Sequence, residues 1–410
     1  MTDQTGTAAV DAVDDAVVAR ARWAVTTVFF VNGLLIATYL VRIPSLKTGL
    51  GLTESQLAVV LTCFGVAAIL TMQLVGGLVA RFGSVKVIRI TLVLLPFGLA
   101  GIGAADDIVQ LAVAVTVTGA VHGTLDVAMN AHAVVVERLR GRPMMNGCHA
   151  AWSISAIIAS LVGAPVIRAG IPVEQHTLWT GAVLLVVGLP ITLGLLPASA
   201  DQREKADDGA EAVKAGWRSG WTGPVLVFGS IGLVLMLCEA AVISWSGVFL
   251  HEVRGATLAV AAFGYGAFTA FQTLGRLVGD RLTERFGRAP VFRIHAALAV
   301  VGFVVVVLGQ SQFVSLAGFG LLGYGMSVLV PLIFSAVGHV GGDGPGAATF
   351  VSRVATFTYA GALAGPALVG WLAQALGLTL TFATLIPFML AVVLAAGVMK
   401  VREPTPAPAA

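Results

Sequence analysis

Long apolar segments follow one another along almost the whole chain and are separated by short polar stretches. Each is long enough to cross the roughly 30 Å hydrocarbon core of a bilayer, and a helix satisfies every backbone polar group within its own segment. The segments lack the alternation of barrel strands. The pattern therefore predicts twelve membrane-spanning helices, at residues 22–42, 54–80, 86–104, 108–136, 143–167, 176–196, 222–250, 257–280, 290–309, 312–338, 346–375 and 378–399.

Three polar stretches divide this pattern. Residues 1–20 are rich in Asp and lack the basic start of a secretory signal, and residues 401–410 are rich in Pro and Ala; both ends are predicted to be disordered. The strongly charged segment 198–220 predicts a cytoplasmic linker. It separates two predicted six-helix bundles, at 21–197 and 221–400.

Composition and charge support a multi-pass membrane protein. Charged residues make up 11% of the chain, against about 25% in soluble domains. Of the 24 Lys and Arg residues, 18 fall on the side of the amino terminus and four on the other, which predicts two cytoplasmic termini in a bacterial plasma membrane. The net charge of +3 does not favour nucleic-acid binding, and three scattered cysteines fit neither a disulfide framework nor a zinc site.

The two predicted bundles also share a sequence repeat. At a shift of 204 residues, seven of thirteen positions are identical, and the pairs include Arg81 with Arg285 and Gly83 with Gly287. Because each half contains an even number of spans, the two halves must have the same orientation. The repeat predicts two bundles related by a parallel pseudo-two-fold axis.

The repeated loops carry a family resemblance. Residues 76–86 and 279–288 resemble the loop-2/3 and loop-8/9 signatures of the major facilitator superfamily, although Ala80 and Ser84 depart from the usual residues. The resemblance implies an alternating-access transporter that is not an enzyme, needs no cofactor or metal and works as a monomer. It places a cytoplasmic gate motif at Gly77, Arg81, Gly83, Asp280, Arg281, Arg285, Gly287 and Arg288.

A narrower resemblance lies in span four. Residues 123–130 are similar to the signature of the fucose–proton symporter group, with Asp126 at its acidic position and Asn130 at its asparagine, and are closest to an uncharacterised bacterial inner-membrane branch. The acid that the group carries in span one is replaced by Leu40. This resemblance implies a sugar-like solute and protons as the transported partners.

Span four also contains the most informative polar stripe. His122, Asp126 and Asn130 recur every fourth residue and therefore share one helix face. A carboxylate within the membrane is costly unless it has a partner or faces water. Asp126 is interpreted either as the proton carrier or as a structural partner of a buried cation or amide.

Other polar side chains in the spans are candidates for binding solute. Asn146 and His149 share a face of span five, Trp152 offers a ring for stacking, and Arg353 lies at the position equivalent to His149 in the other half. Glu239 is interpreted as a second titrating acid, as a ligand of the solute, or as the partner of an arginine or amide. Hydrogen bonds to solute are also predicted from Asn32, Gln272 and Tyr324.

Together these features predict proton-coupled transport of a small polar, sugar-like solute across a lipid bilayer. Proton-driven efflux of amphipathic compounds is an alternative, although the antiporter-like run at 361–370 falls in span eleven rather than span five. A membrane receptor that does not transport is a further alternative. Nucleophile elbows, phosphate loops and paired-histidine metal motifs are absent from the sequence, which excludes the corresponding enzyme classes.

Overall fold

The structure, a computed structural model, describes residues 15–142, 144–196, 221–340 and 345–400, and these are helical without strands. All twelve predicted spans fall on helices. The elements are α1 Asp15–Gly49, α2 Glu54–Phe82, α3 Ser84–Gly103, α4 Ile108–Arg140, α5 Met145–Arg168, α6 Val173–Ile191, α7 Gly223–Glu252, α8 Phe263–Phe286, α9 Arg288–Leu308, α10 Gln312–Met326, α11 Leu329–Val340 and α12 Pro345–Ala395, with a helical turn at Leu258–Ala261 and 3-10 turns at Thr192–Gly194 and Ala396–Met399.

Helix boundaries differ from the predicted ones in three places. α1 begins at Asp15, so the last residues of the expected tail 1–20 are helical, whereas residues 1–14, the linker 198–220 and the end 401–410 lie outside the described residues. Span ten is divided into α10 and α11. Spans eleven and twelve meet at Gly377, which has φ 75° and ψ 156°, inside α12.

Eleven of the described helical segments are long and apolar enough to cross a membrane, with the last two spans counted as one. Consecutive segments whose connections are described run antiparallel through short turns. The end of the molecule where α1 begins and α12 ends is called the terminal face, and the other end is called the opposite face. Arg42 and Lys47, which were expected in a loop at the opposite face, are instead buried within the last turns of α1.

The turns reproduce the sequence repeat in the main chain. Gly83 and Gly287 have φ of 80° and 82°, and each amide donates to the carbonyl four residues earlier over 2.9 Å. Gly51 and Gly255 form a second pair, with φ of 61° and 64°. Positive φ favours glycine because it has no Cβ. Helix caps repeat in the same way, at Thr53 with Thr257 and at Asp107 with Ser311.

Among the described residues, the two halves meet along four pairs of spans: one with seven, one with eight, two with eleven, and five with eight. Small residues permit this close approach. A Cβ built on Gly247 would lie 2.8 Å from Pro44 Cγ, and one on Gly266 would lie 2.6 Å from Ser160. Span five therefore packs directly against span eight at the boundary between the halves.

Candidate functional site

The opposite face is closed by polar contacts between the halves. Lys47 at the end of α1 pairs with Glu54 of its own half over 3.4 Å and with Glu252 at the end of α7. Ser55 Oγ donates to Gln374 Oε1 over 3.3 Å, joining span two to span eleven. The lysine side chain is only 8% exposed, so the two halves are held together at this face by a largely buried cation.

Nearer the terminal face the same boundary contains a cavity of about 350 Å³. Spans five, eight and ten contribute its walls, and its polar lining includes His149, Ser153, Thr273, Arg276, Asp280 and Ser327. The side chains of His149, Arg276 and Asp280 are exposed. Among the described residues, the boundary between the halves is thus closed by polar contacts at the opposite face and contains a polar cavity nearer the terminal face.

Asp126 faces the interior of the molecule. Gly123 of α4 packs on the backbone of Ala68 in α2, since a Cβ there would lie 2.8 Å from Ala68 Cα. Val113 and Val117, on the other side of α4, are 59% and 53% exposed and face outward. The Asp126 carboxylate makes no hydrogen bond or ion pair with any described residue. Asn130 Nδ2 donates to the Asp126 backbone carbonyl instead, over 2.8 Å.

The His122 side chain contacts a residue of span one and does not face an open cavity. Its Nδ1 lies 3.0 Å from Asn32 Oδ1, and Asn32 Nδ2 donates to Met129 Sδ over 3.7 Å. The imidazole also stacks on Phe64, with ring centroids 5.6 Å apart. Asn32 is fully buried, so the expected binding residues His122 and Asn32 satisfy each other and fix α4 against α1 beside Asp126.

Span five places its candidate residues against span one. The His149 ring meets the edge of Phe29 at a centroid distance of 5.3 Å and is otherwise exposed. Trp152 packs on Gly33, where a Cβ would lie 2.8 Å from the indole. The side chain of Asn146 lies outside the described part of the structure. Of the three candidates, His149 lines the cavity.

The candidates in the second half have varied surroundings. Gln272 is buried, and its Nε2 has no hydrogen-bond partner among the described residues. The half-buried Glu239 makes no described ion pair or hydrogen bond. By contrast, Tyr324 stacks on His295 at 5.2 Å, and the Arg353 guanidinium lies 5.1 Å from the Trp221 ring. Tyr324 and Arg353 thus have aromatic partners in their own half.

The gate-motif arginines lie beside neighbouring phenylalanine rings. The Arg81 guanidinium lies 5.2 Å from the Phe82 ring, and Arg285 has the same distance to Phe286. Gly83 and Gly287 form the turns that follow. The remaining members are Gly77, Asp280 and Arg281, which are exposed or next to open space, and the partly buried Arg288. Asp280 alone in the motif also lines the cavity.

Arg276 is the site residue that sequence reasoning overlooked. It lies on a polar stripe along α8, formed by Tyr265, Thr269, Gln272, Arg276, Asp280 and Thr283. Successive members are three or four residues apart, so the stripe faces one direction. The same spacing identified the stripe on α4. The stripe on α8 was less conspicuous in the sequence than the stripe on α4. Four of its side chains are uncharged, and the acid Asp280 lies at the predicted end of the span.

The protein has helices of membrane-spanning length, two repeated halves and a cavity between the halves. This architecture is typical of membrane transporters. The sequence profile described as Major Facilitator Superfamily matches residues 25–351 and 262–410. The chain belongs to the major facilitator superfamily, which is a family of transporters and not of enzymes. This confirms the family resemblance and the expected fold class.

Two relatives are similar along most of their length. An uncharacterised transporter of the superfamily from Yersinia pestis is 32% identical over 354 residues, covering 86% of this chain and 89% of its own. An uncharacterised transporter of Sinorhizobium fredii is 32% identical over 372 residues, covering 91% and 96%. Both relatives support a multi-pass membrane transporter.

Solved structures share the fold at low sequence identity. A bacterial homologue of the lysosomal transporter Spinster, in an inward-facing and unoccupied conformation, has a TM-score of 0.76 at 14% identity and covers 96% of this chain and all of its own. The nucleoside transporter NupG has a TM-score of 0.72 at 14% identity, covering 93% and 100%. A D-xylose–proton symporter has 0.68 at 16%, covering 94% and 98%.

Proposed function

We propose that the protein is a proton-coupled transporter that moves a small polar, sugar-like solute across a bacterial plasma membrane. It works as a monomer with both termini in the cytoplasm, so the terminal face is the cytoplasmic face and the described conformation opens inward. The excess of Lys and Arg on that side supports the orientation. The resemblance of residues 123–130 to fucose–proton symporters and the fold shared with a D-xylose–proton symporter support the solute class.

The observation that carries proton coupling is the environment of Asp126. A carboxylate in a membrane-spanning helix is expensive unless it is paired or reaches water. Asp126 faces the interior of the molecule and forms no described ion pair or hydrogen bond through its carboxylate. A permanently paired structural acid would have a cation or amide beside it. An acid without a fixed partner is free to bind and release a proton as the halves move.

Glu239 has a secondary role in this proposal. It lies in α7 of the other half and likewise has no described ion-pair partner. With Asp126 in one half as the proton carrier, Glu239 in the other half provides a second proton site or a hydrogen-bond acceptor for the solute. The Gln272 amide, buried without a described partner, is a complementary donor.

The proposal is tested with purified protein in proteoliposomes containing a pH-sensitive dye. Sugars and nucleosides are added one at a time, and solute-dependent proton entry identifies a transported compound. Asp126→Asn is expected to abolish proton entry while preserving exchange of labelled for unlabelled solute, because exchange requires no net proton movement. Asp106→Asn, an equivalent change in the exposed turn before the same helix, is the matched control and should behave like the wild type.

Three results would contradict the proposal. Proton coupling that survives Asp126→Asn would remove Asp126 as the carrier. Proton-driven movement of amphipathic cations out of the cytoplasmic compartment would instead establish efflux. Solute binding without flux would indicate a receptor.

A further inference from the structure

We propose that the solute carries a carboxylate or phosphate group, and that Arg276 and His149 bind this group from opposite halves. The inference rests on the proposed transport function and narrows its solute class from polar to anionic. It concerns the cavity of about 350 Å³ between spans five, eight and ten.

Arg276 lies deep in its helix without a described counter-ion. Ten residues separate it from the end of α8 at Phe286, which corresponds to about 15 Å along the helix axis. Its side chain is exposed to the cavity, which lowers the cost of an unpaired guanidinium at such depth. Among the described residues it forms no ion pair, and its recorded hydrogen bond goes to a backbone carbonyl. The charge is therefore available to a ligand that enters the cavity.

The break in span ten orients this guanidinium. Pro331 has no N–H with which to continue the helix to the Ser327 carbonyl, and the chain leaves the helix between α10 and α11 at this point. Arg276 Nε donates to the Ser327 carbonyl over 3.5 Å. Both terminal nitrogens then remain without a described partner. Two parallel N–H groups on a planar guanidinium match the oxygen spacing of carboxylate and phosphate.

His149 supplies the second donor from the other half. It lines the same cavity, and the charge of Arg276 acts on it electrostatically. An imidazole can donate an N–H in either protonation state, and two basic groups brought together are stabilised by an anion between them. Asp280 also lines the cavity, one helical turn nearer the terminal face, but it forms no ion pair with Arg276 among the described contacts.

The experiment uses full-length protein in lipid nanodiscs and matched pairs of compounds. D-glucose is compared with D-glucuronate and D-glucose 6-phosphate, and a nucleoside is compared with its monophosphate. Calorimetric titration and thermal unfolding measure binding. An acidic member of at least one pair should bind and raise the unfolding temperature, whereas its neutral counterpart should bind at least about tenfold more weakly.

Variants then assign the interaction to the site. Arg276→Gln should weaken binding of the acidic compound about 10- to 100-fold, and Arg276→Lys should fall between it and the wild type because lysine keeps the charge but not the bidentate geometry. Arg293→Gln removes an exposed cation from α9 of the same half and should leave affinity unchanged. Unliganded unfolding temperature and gel filtration establish that each variant is folded.

Neutral compounds binding as tightly as acidic ones, no acidic compound binding, or full affinity in Arg276→Gln would each overturn the inference. These outcomes are separate from those of the transport proposal. Proton-coupled flux of a neutral sugar would retain the transporter and reject the anionic solute. Binding of the acidic compound through Arg276 without any flux would retain the anion site and reject transport.

Discussion

Replacing Lys47 by Met should allow the two halves to separate at the opposite face. Lys47 is the cation shared by Glu54 and Glu252, and its pair with Glu252 joins the two halves. Only 8% of the lysine side chain is exposed, but the carboxylates retain 26% and 30% exposure. A charge-assisted hydrogen bond contributes about 1.5–3 kcal/mol, and the remaining hydration of the acids favours the lower part of this range. A loss of about 2 kcal/mol shifts a two-state equilibrium roughly 30-fold.

Distances between spin labels at the opposite face measure this shift. Labels at Gln175 and Gln310 lie on exposed positions of the two halves, after the three native cysteines are replaced by alanine. Lys47→Met should increase the ratio of the population with a long label separation to the population with a short one by about 30-fold relative to the wild type. Arg168→Met removes an exposed cation from the same face and should leave the distance distribution unchanged.

A charge swap separates the ion pair from the loss of packing. Lys47→Glu alone should open the opposite face further than Lys47→Met, because it places three acids together. Adding Glu252→Lys should return the population towards the closed form, since opposite charges again face each other across the boundary. The reasoning would be refuted if Lys47→Met left the distances unchanged, if Arg168→Met shifted them equally, or if the swap failed to restore closure.

Two further substitutions test the packing that supports the site. Gly123→Ala should destabilise the protein by about 1–3 kcal/mol, because the new Cβ would meet backbone atoms of Ala68; Gly76→Ala, whose Cβ meets nothing within 4 Å, should be neutral or slightly stabilising. Arg42→Met should lower the unfolding temperature, because Arg42 donates to His176 Nδ1 over 3.0 Å and to a carbonyl of the α5–α6 turn over 2.9 Å. Thermal unfolding in detergent checks both, and equal unfolding temperatures for Gly123→Ala and Gly76→Ala, or a wild-type value for Arg42→Met, would contradict them.

The fold was largely predictable because its signals are local or periodic. The number of apolar segments gave the spans, and the shift of 204 residues anticipated pairs of turns such as Gly83 and Gly287. The break in span ten was overlooked, although Pro331 offered a signal within an apolar run. α1 extends beyond its predicted span because polar residues near its end, such as Lys47, are buried by contacts that hydropathy does not report.

The site was less predictable because it depends on pairing between distant segments. The stripe on α4 identified Asp126, but the sequence did not reveal whether a counter-ion lay opposite it. Lys47 and Glu252 are 205 residues apart, and only the docking of the two halves brings them together. The repeat placed Arg353 at the position equivalent to His149, whereas the cation that shares the cavity with His149 in the structure is Arg276.

The hydrogen-bond acceptor of Arg276 is the main-chain carbonyl of Ser327. This carbonyl is available because Pro331, four residues later, has no N–H to donate to it. Mutation of the side chain at position 327 would therefore not remove it. Under the proposed anion binding, substitutions of the residues opposite the guanidinium would change which solute fits, while Pro331 keeps the Ser327 carbonyl available to Arg276. The direction of the guanidinium therefore depends on Pro331, a residue that has no polar side chain.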